Sequence, residues 1–150
     1  MGNIVSVNVS KKKGTIKKPV PEFELVAGQG ARGDAHAAPG DRQVSLLMLE
    51  SIEKQQRLIE QRPGKRMKLK PGAFAENLTT AGIDLLALKL GDELRVGDQS
   101  RLRVSKIGKE CHTRCAIFER VGECVMPKEG IFCEVLTGGR ARPGDRIERV

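Results

Sequence analysis

The stretch LGDELRVGDQSRLRVS, Leu90–Ser105, contains two short segments in which apolar and polar residues alternate. Leu94 and Val96 follow a Gly-Asp turn, and Leu102 and Val104 repeat the alternation a few residues later. The segment PGDRIERV at 143–150 again begins with a Gly-Asp turn and continues with alternation. Alternation places apolar side chains on one face of a strand, so these patterns predict short strands joined by tight turns.

The N-terminal residues extend this strand pattern. NIVSVNVS (3–10) and EFELVAG (22–28) both alternate, and the basic segment KKKGTIKKPVP (11–21) is predicted to form a loop between them. Many short strands with few helices predict a mainly β fold with a few short helices, arranged as a small closed or partly closed β-barrel. No repeat, linker or compositional break divides the chain, so residues 1–150 are expected to form a single domain.

Three segments are predicted to be helical. From Gln43 onward the apolar residues fall at helical spacing, which predicts a helix over about Ser45 to Gln61, ended by Pro63-Gly64. GIDLLALKL (82–90) and GIFCEVLTGG (130–139) are predicted as short helices. The segment 28–42 is rich in Gly and Ala and lacks apolar periodicity, which is typical of a functional or disordered loop.

The net charge of +8 is unevenly distributed along the chain. Residues 1–75 contain 14 Lys and Arg against 7 Asp and Glu, whereas residues 76–150 contain 13 against 12. A basic surface of this kind attracts phosphates, on nucleic acid or on a small anionic cofactor. The chain has no Trp or Tyr and only four Phe, each with apolar or strand-like neighbours. Because single-strand binders use exposed rings on which bases stack, nucleic acid is the less favoured partner.

The sequence gives no sign of a membrane segment. It contains no run of about 18 apolar residues, and its N-terminal lysines follow the apolar stretch, whereas in a signal peptide they precede it. A cytoplasmic location is therefore expected. Cytoplasmic thiols stay reduced, which disfavours a disulfide framework.

The four cysteines lie within 25 residues, at Cys111, Cys115, Cys124 and Cys133. Cys111 and Cys115, with His112, offer soft ligands for zinc, and Cys124 would complete a tetrahedron. The intervening gaps are three, eight and eight residues, so the paired two-residue spacing of structural zinc sites is absent. Cys133 and Cys124 are most simply packing residues.

Cys111 is the best candidate for a working thiol. It follows the predicted strand RLRVS, and Lys106, Lys109, His112 and Arg114 are cationic neighbours in sequence that favour a thiolate. A thiolate in such surroundings carries sulfur as a persulfide, attacks an electrophile or ligates a soft metal. Cys115 is a candidate to assist it, and an inert Cys111 is the alternative.

The chain resembles the MOSC family, named for the C-terminal domain of molybdenum cofactor sulfurase, and is most similar to its short stand-alone bacterial members. The residues that carry the resemblance are KKPV (17–20), GARGDAHAAPGDRQVSLL (30–47), PGAFAENLTTAGIDL (71–85), LGDELRVG (90–97), KIGKEC (106–111) and GIFCEVLTGGRARPGD (130–145). A Gly-Asp-x-His loop, a Phe-x-Glu-Asn-Leu segment and one cysteine after a strand, in that order, form a specific signature.

The resemblance implies a β-barrel and a role with the molybdenum cofactor, a pterin with a phosphate and a dithiolene, bound permanently or in transit. It implies that Cys111 carries sulfur or ligates molybdenum. Lys18, His36, Arg42 and Lys70 or Lys68 are then the expected donors to phosphate and pterin, and Glu76 and Asn77 the expected contacts of the pterin edge. Simpler interpretations stay open: Asp34 and Asn77 hold turns, Arg42 precedes the helix, and Glu76 pairs with Lys70.

The resemblance leaves several functions open. The first is a cofactor-binding or sulfur-carrier domain that works with cofactor-biosynthesis or sulfur-donor proteins. The second is a small molybdoenzyme that reduces N-hydroxylated compounds with an external electron donor, and the third is a basic β-barrel that binds nucleic acid. Two departures from larger family members stand out: Ala75 occupies a position where they carry Gly, and their additional redox domains have no counterpart in these residues. A complete redox enzyme is therefore not expected from this polypeptide alone.

Overall fold

The computed structural model describes residues 2–13, 15–61, 68–108 and 129–150. The strands are β1 Gly2–Val9, β2 Lys18–Val20, β3 Phe23–Val26, β4 Gly30–Ala31, β5 Val44–Met48, β6 Leu78–Ala81, β7 Glu93–Val96, β8 Ser100–Ile107, β9 Ile131–Thr137, β10 Gly139–Ala141 and β11 Arg146–Arg149. The described helices are α1 Leu49–Glu60 and the 3₁₀ turn η1 Leu85–Ala87. The predicted mainly β fold is confirmed.

Seven strands close into a barrel in the order β1-β11-β7-β8-β9-β5-β6, and β6 returns to β1. The closing contact pairs Gly2 with Ile147 and Asn3 with Arg146. All barrel pairs are antiparallel except β5–β6, which are joined through α1, since parallel neighbours require a crossover connection. β2 adds an eighth strand against the end of β1, and β10, β3 and β4 form a second small sheet.

The apolar residues form two clusters on opposite sides of the barrel wall. The inner cluster fills the barrel and includes Leu46, Leu78 and Cys133. The outer cluster lies between the wall and α1 and consists of Leu47, Ile52, Ile59, Leu69, Phe74 and Phe132. Strands β5 and β9 contribute to both clusters because successive side chains of a strand point to opposite faces.

The predicted helix over Ser45 to Gln61 is correct only in its second part. Val44–Met48 is strand β5, and the helix runs from Leu49 to Glu60. All five strand residues are buried, because Val44 and Leu46 face the barrel interior while Leu47 lies in the outer cluster. A strand covered on both faces reads as a continuous apolar run, so its period of two is hidden.

The same physical cause makes the predicted helix at 130–139 wrong. Ile131–Thr137 is strand β9, which pairs with β8 on one side and β5 on the other. Cys133 faces the inner cluster and Phe132 the outer one. The segment 82–90 contains only the three-residue turn η1, the basic loop ends in β2, and the loop at 28–42 contains the two-residue strand β4.

Some features predicted from sequence lie outside the described residues. These are Cys111, Cys115 and Cys124, together with residues 62–67 of the second basic cluster. In the part of the chain that the structure covers, no helix has the length and apolar character needed to span a bilayer.

Candidate functional site

A buried ion pair joins the basic N-terminal segment to the loop after β4. Lys17 Nζ lies 2.7 Å from Asp34 Oδ1, and both side chains are completely shielded from solvent. Lys17 Nζ also contacts Ser10 Oγ at 3.1 Å. A buried charge is tolerated when it is paired and hydrogen-bonded, and these contacts meet that requirement. The loop at 28–42 is therefore attached to β1 and β2 through an internal charge pair.

The Asp34 carboxylate accepts two further hydrogen bonds from backbone groups. Oδ1 accepts from Ser10 N–H at 3.0 Å, and Oδ2 accepts from His36 N–H at 3.1 Å. Burial alone would raise the pKa of the Asp34 carboxyl, but the hydrogen bond and charge of Lys17, with these backbone donors, hold it below its ordinary value. Asp34 is thus an ionised anchor for its loop.

His36 lies next to this pair. Its Nδ1 is 3.2 Å from Lys17 Nζ, and its side chain is 22% exposed. The ring borders a cavity of about 340 Å³ lined by Lys13, His36, Ala38, Pro39, Gly40, Asp41 and Arg42. A narrow extension of about 10 Å³ adjoins it, lined by His36, Arg42, Ser45, Phe74, Ala75, Asn77 and Phe132. We call the two together the His36 cleft.

Arg42 borders both parts of the His36 cleft. Its guanidinium carbon lies 5.7 Å from the centroid of the Phe132 ring, which is within cation–π range. The predicted candidates His36 and Arg42 are therefore brought together, six residues apart in the chain, on the outer face of the barrel. Lys13 adds a second cation to the lining and Asp41 one carboxylate, so the cleft favours an anionic ligand.

Asn77 borders the His36 cleft but is used mainly inside the protein. Its Oδ1 accepts from Ser45 N–H at 3.0 Å and from Ser45 Oγ–H at 3.2 Å, and its Nδ2 donates to the Asn8 carbonyl at 3.1 Å. The side chain thereby connects β1, β5 and the loop before β6. This geometry agrees with the simpler interpretation that Asn77 holds a turn, and its contact with a pterin stays a prediction.

Glu76 is completely buried. Its carboxylate accepts from Gly72 N–H at 2.9 Å, Phe74 N–H at 3.2 Å and Thr79 Oγ1–H at 2.7 Å. Burial raises the pKa of the Glu76 carboxyl, although these donors oppose the effect. These partners are internal to the loop and β6, so the suggested pair with Lys70 is replaced by backbone and hydroxyl donors. The contact of Glu76 with a cofactor stays a prediction.

The loop held by Glu76 includes two unusual backbone positions. Gly72 has φ +92°, and a Cβ there would collide with the carbonyl oxygen of Lys17, which lies directly against the loop. Gly72 O itself accepts from Lys17 N–H at 2.8 Å. Ala75 has φ +64°, the one positive φ of a non-glycine residue in the described ranges. The left-handed backbone at this position favours glycine, the residue that the resemblance leads us to expect there in larger family members.

The predicted lysines lie elsewhere. Lys18, on β2, and Lys68 and Lys70, before the Gly72 turn, are exposed and do not line the two described parts of the His36 cleft. The lysine that reaches His36 is Lys17, which the sequence analysis missed. A run of lysines gives no sign of which one is buried, although the nearby Asp34 is a possible partner for a buried cation.

A second, larger groove of about 1150 Å³ lies between the β3–β10 sheet and strands β7 and β11. Its lining includes four arginines and four carboxylates: Arg95, Arg140, Arg142, Arg146, Glu24, Asp98, Asp145 and Glu148. The two sets of charges balance, so this groove has no net attraction for an anion, unlike the His36 cleft.

The described residues that flank 109–128 lie close to α1 and to β9. Gly108 N–H donates to the Gly130 carbonyl at 2.8 Å, and Glu129 contacts Ser51 Oγ at 2.9 Å and Lys54 Nζ at 2.6 Å on α1. Gly108 and Glu129 are the described residues on either side of 109–128. Cys133 is buried in the barrel, where burial, with the charge of Glu134, raises the pKa of its thiol. It is therefore a packing residue, as predicted.

Within the described ranges, no three His, Cys, Asp or Glu side chains are grouped so that they could hold a metal ion. The candidate ligand Cys111 lies outside these ranges. The His36 cleft therefore offers donors to an anionic, hydrogen-bonding ligand, and its described residues provide no complete metal site of their own.

The closed barrel with one crossover helix and a histidine–arginine cleft on its outer face defines a class of small β-barrel domain. The family model described as MOSC domain matches residues 32–148, and the chain belongs to this family. The family assignment made from sequence is confirmed. A comparison with curated proteins finds no match.

Solved structures share the fold. The YuaD protein of Bacillus subtilis has a TM-score of 0.77 at 18% identity, with 97% of this chain and 93% of that one covered. YiiM of Geobacillus stearothermophilus has a TM-score of 0.75 at 23% identity, covering 100% of this chain and 75% of that one. YiiM of Escherichia coli has a TM-score of 0.72 at 22% identity, covering 100% and 70%. At these identities the likeness shows the fold alone.

We expect Ala75→Gly to raise the free energy of unfolding by up to about 1.5 kcal/mol. Glycine removes the left-handed penalty of about 1–2 kcal/mol and costs about 0.4–1 kcal/mol through the unfolded chain. Urea unfolding measures the change. Ala38→Gly, at an exposed position where φ is not positive, is the control and is expected to lower stability. Equal losses for both variants would contradict the strain assigned to Ala75.

We expect Lys17→Met to lower the free energy of unfolding by about 3–5 kcal/mol, because it leaves the Asp34 carboxylate buried and unpaired. Lys17→Met with Asp34→Asn removes both charges and is expected to cost clearly less. The matched control is Arg103→Met with Glu134→Gln, an exposed pair expected to change stability by about 1 kcal/mol or less.

The contribution of Asp34 to stability also depends on pH. The pKa of Asp34 is lower in the folded state than in the unfolded state, so its stabilisation is present above the unfolded value of about 4 and is lost as the pH falls through the folded value. The stability gap between wild type and the double variant at Lys17 and Asp34 should therefore narrow below about pH 4. A gap that widens on acidification would contradict this account.

Proposed function

We propose that this chain is a molybdenum-cofactor-binding domain, that the His36 cleft receives the cofactor, and that Cys111 is its working thiol. Membership of the MOSC family supports a role related to this cofactor. The observation that carries the proposal is the cleft itself, where His36, held by a buried ion pair, lies beside Arg42 at a ligand-sized cavity.

The residues of the cleft fit the chemical groups of such a ligand. A volume of about 340 Å³ falls within the usual range of roughly 300–1,000 Å³ for small-molecule sites. The Arg42 guanidinium suits a phosphate, which it binds through two parallel hydrogen bonds. Lys13 adds a second positive charge at the rim. The Phe132 ring provides an apolar wall in the narrow extension.

The chain path supports Cys111 as the thiol that serves this cleft. Cys111 follows Gly108 by three residues, and three residues of chain span at most about 10 Å. Gly108 is hydrogen-bonded to Gly130, which is two residues from Phe132 of the cleft. Lys106, on β8, pairs with Phe132 and adds positive charge on this side of the barrel, which favours a thiolate.

The chemistry of these groups assigns each residue a role in the proposal. Arg42 and Lys13 neutralise the phosphate of the ligand, His36 donates a hydrogen bond, and the Cys111 thiolate either carries a sulfur atom as a persulfide or ligates molybdenum. When bound, the cofactor supplies a metal that changes oxidation state and accepts thiolate ligands. The protein partners in this proposal are cofactor-biosynthesis or sulfur-donor proteins.

The proposal is tested by the molybdenum and pterin content of the chain purified from a molybdenum-replete host. Wild type is expected to retain both, and Cys111→Ser to lose molybdenum or to lose persulfide uptake from a donor desulfurase. Arg42→Ala should lower pterin content about tenfold or more, because a bidentate charged contact is removed. Cys124→Ser, predicted to affect packing alone, is the control and should resemble wild type.

The proposal fails if wild type retains neither pterin nor molybdenum and accepts no persulfide. Retained RNA with a steep salt dependence would instead favour nucleic-acid binding. Equimolar zinc that is lost on mutation of Cys115 or Cys124 would favour a structural zinc cluster. Turnover of N-hydroxylated compounds by the loaded chain with an external electron donor would extend the proposal to a small molybdoenzyme.

A further inference from the structure

The buried ion pair has a chemical consequence for the histidine at the cleft. We infer that Lys17 and Asp34 are positioning residues that hold His36 as the neutral tautomer with its proton on Nε2, so that the cleft recognises an oxyanion through a neutral hydrogen-bond donor. The inference rests on the proposed function in taking the His36 cleft as the ligand site. It adds the protonation state and the class of ligand atom.

The tautomer follows from the contact at Nδ1. Lys17 Nζ is 3.2 Å from His36 Nδ1, and an ammonium group has hydrogens to donate and no acceptor. Nδ1 must therefore accept this hydrogen bond through its lone pair. In a neutral imidazole the proton then lies on Nε2, which makes Nε2 a donor. A proton on Nδ1 would point hydrogens of both groups at each other.

Asp34 fixes the geometry of this contact without competing for it. Its Oδ1 binds the Lys17 ammonium at 2.7 Å, and its Oδ2 accepts from the His36 backbone N–H at 3.1 Å. The distance from Oδ2 to His36 Nδ1 is 3.8 Å, too long for a hydrogen bond. The Asp34 carboxylate thus positions both the Lys17 ammonium group and the backbone of His36, whose ring that ammonium group contacts.

Other charged residues line the cavity together with His36. Lys13 and Arg42 line the cavity with it, and Asp41 is the carboxylate on that lining. Among the described residues, the cavity lining and the Lys17–Asp34 pair together bring three cations and two carboxylates near the ring, a set that suits an anionic ligand.

This arrangement defines what the cleft selects. A neutral Nε2–H in a cleft that Arg42 also lines suits an acceptor oxygen that carries negative charge, such as a phosphate oxygen. It does not suit a role in which Nε2 removes a proton from a substrate, because Nε2 is already protonated. His36 is therefore assigned as a binding donor and not as a general base at Nε2.

The tautomer is tested by ¹⁵N NMR of histidine-labelled protein. The chain has two histidines, so in His112→Gln the remaining signals come from His36 and are thereby assigned. At neutral pH, Nδ1 should show the shift of an unprotonated ring nitrogen and Nε2 that of a protonated one. In Lys17→Met with Asp34→Asn, the spectrum should change to a mixture of tautomers. Arg103→Met with Glu134→Gln, the exposed control pair, should leave it unchanged.

A proton on Nδ1 in the wild-type protein would overturn the inference, as would an unchanged spectrum in a folded double variant at Lys17 and Asp34. If circular dichroism shows that the double variant does not fold, the wild-type spectrum decides alone.

The ligand class is tested with inorganic phosphate as the probe. Phosphate should shift the Nε2 signal in wild type, and Arg42→Ala should weaken the apparent affinity about tenfold.

Absence of a phosphate response at Nε2 would overturn the oxyanion assignment. These outcomes are separate from failure of the proposed function. Purified protein without pterin or molybdenum, but with the predicted tautomer and phosphate response, would contradict the cofactor proposal and leave this inference intact. Protein that retains the cofactor but has Nδ1 protonated would support the cofactor proposal and contradict this inference.

Discussion

The Lys17–Asp34 ion pair is the interaction on which the arrangement of the site depends. Two unit charges with no solvent exposure are destabilising unless every hydrogen-bonding position near them is used. Here Ser10 and His36 supply the additional contacts, so the requirement to satisfy the pair determines where the loop at 28–42 lies. The position of His36 is therefore a consequence of charge burial between its own loop and the segment before β2.

The second support for the site is the polar network beneath the loop before β6. Asn8 Nδ2 donates to the Glu76 carbonyl at 3.1 Å, while the Glu76 carboxylate binds the backbone of Gly72. Gly72 in turn accepts from the backbone of Lys17. The ion pair and this network are thus joined through one glycine. Residues that the family signature suggests as cofactor ligands also serve to build the frame that holds the cleft.

The sequence was informative where one face of a strand meets solvent and the other meets the core. The alternating segments around Leu94 and Leu102 predicted the barrel because their period of two is visible. The prediction failed for Val44–Met48 and Ile131–Thr137, since outward-facing residues of both strands, Leu47 and Phe132, are buried in the outer cluster and hide that period. His36 and Arg42 were identified by resemblance, whereas burial of Lys17 depends on tertiary packing that no local pattern encodes.

The central claim is that the cofactor binds at the His36 cleft. Amide hydrogen exchange, compared between cofactor-loaded protein and protein from a host that lacks the cofactor, tests it most directly. The account predicts slower exchange in the loaded protein at residues 34–42 and 72–77, with no change at 95–99 and 139–146 around the charge-balanced groove. Protection confined to that groove, or equal exchange throughout in protein shown to carry the cofactor, would contradict the claim.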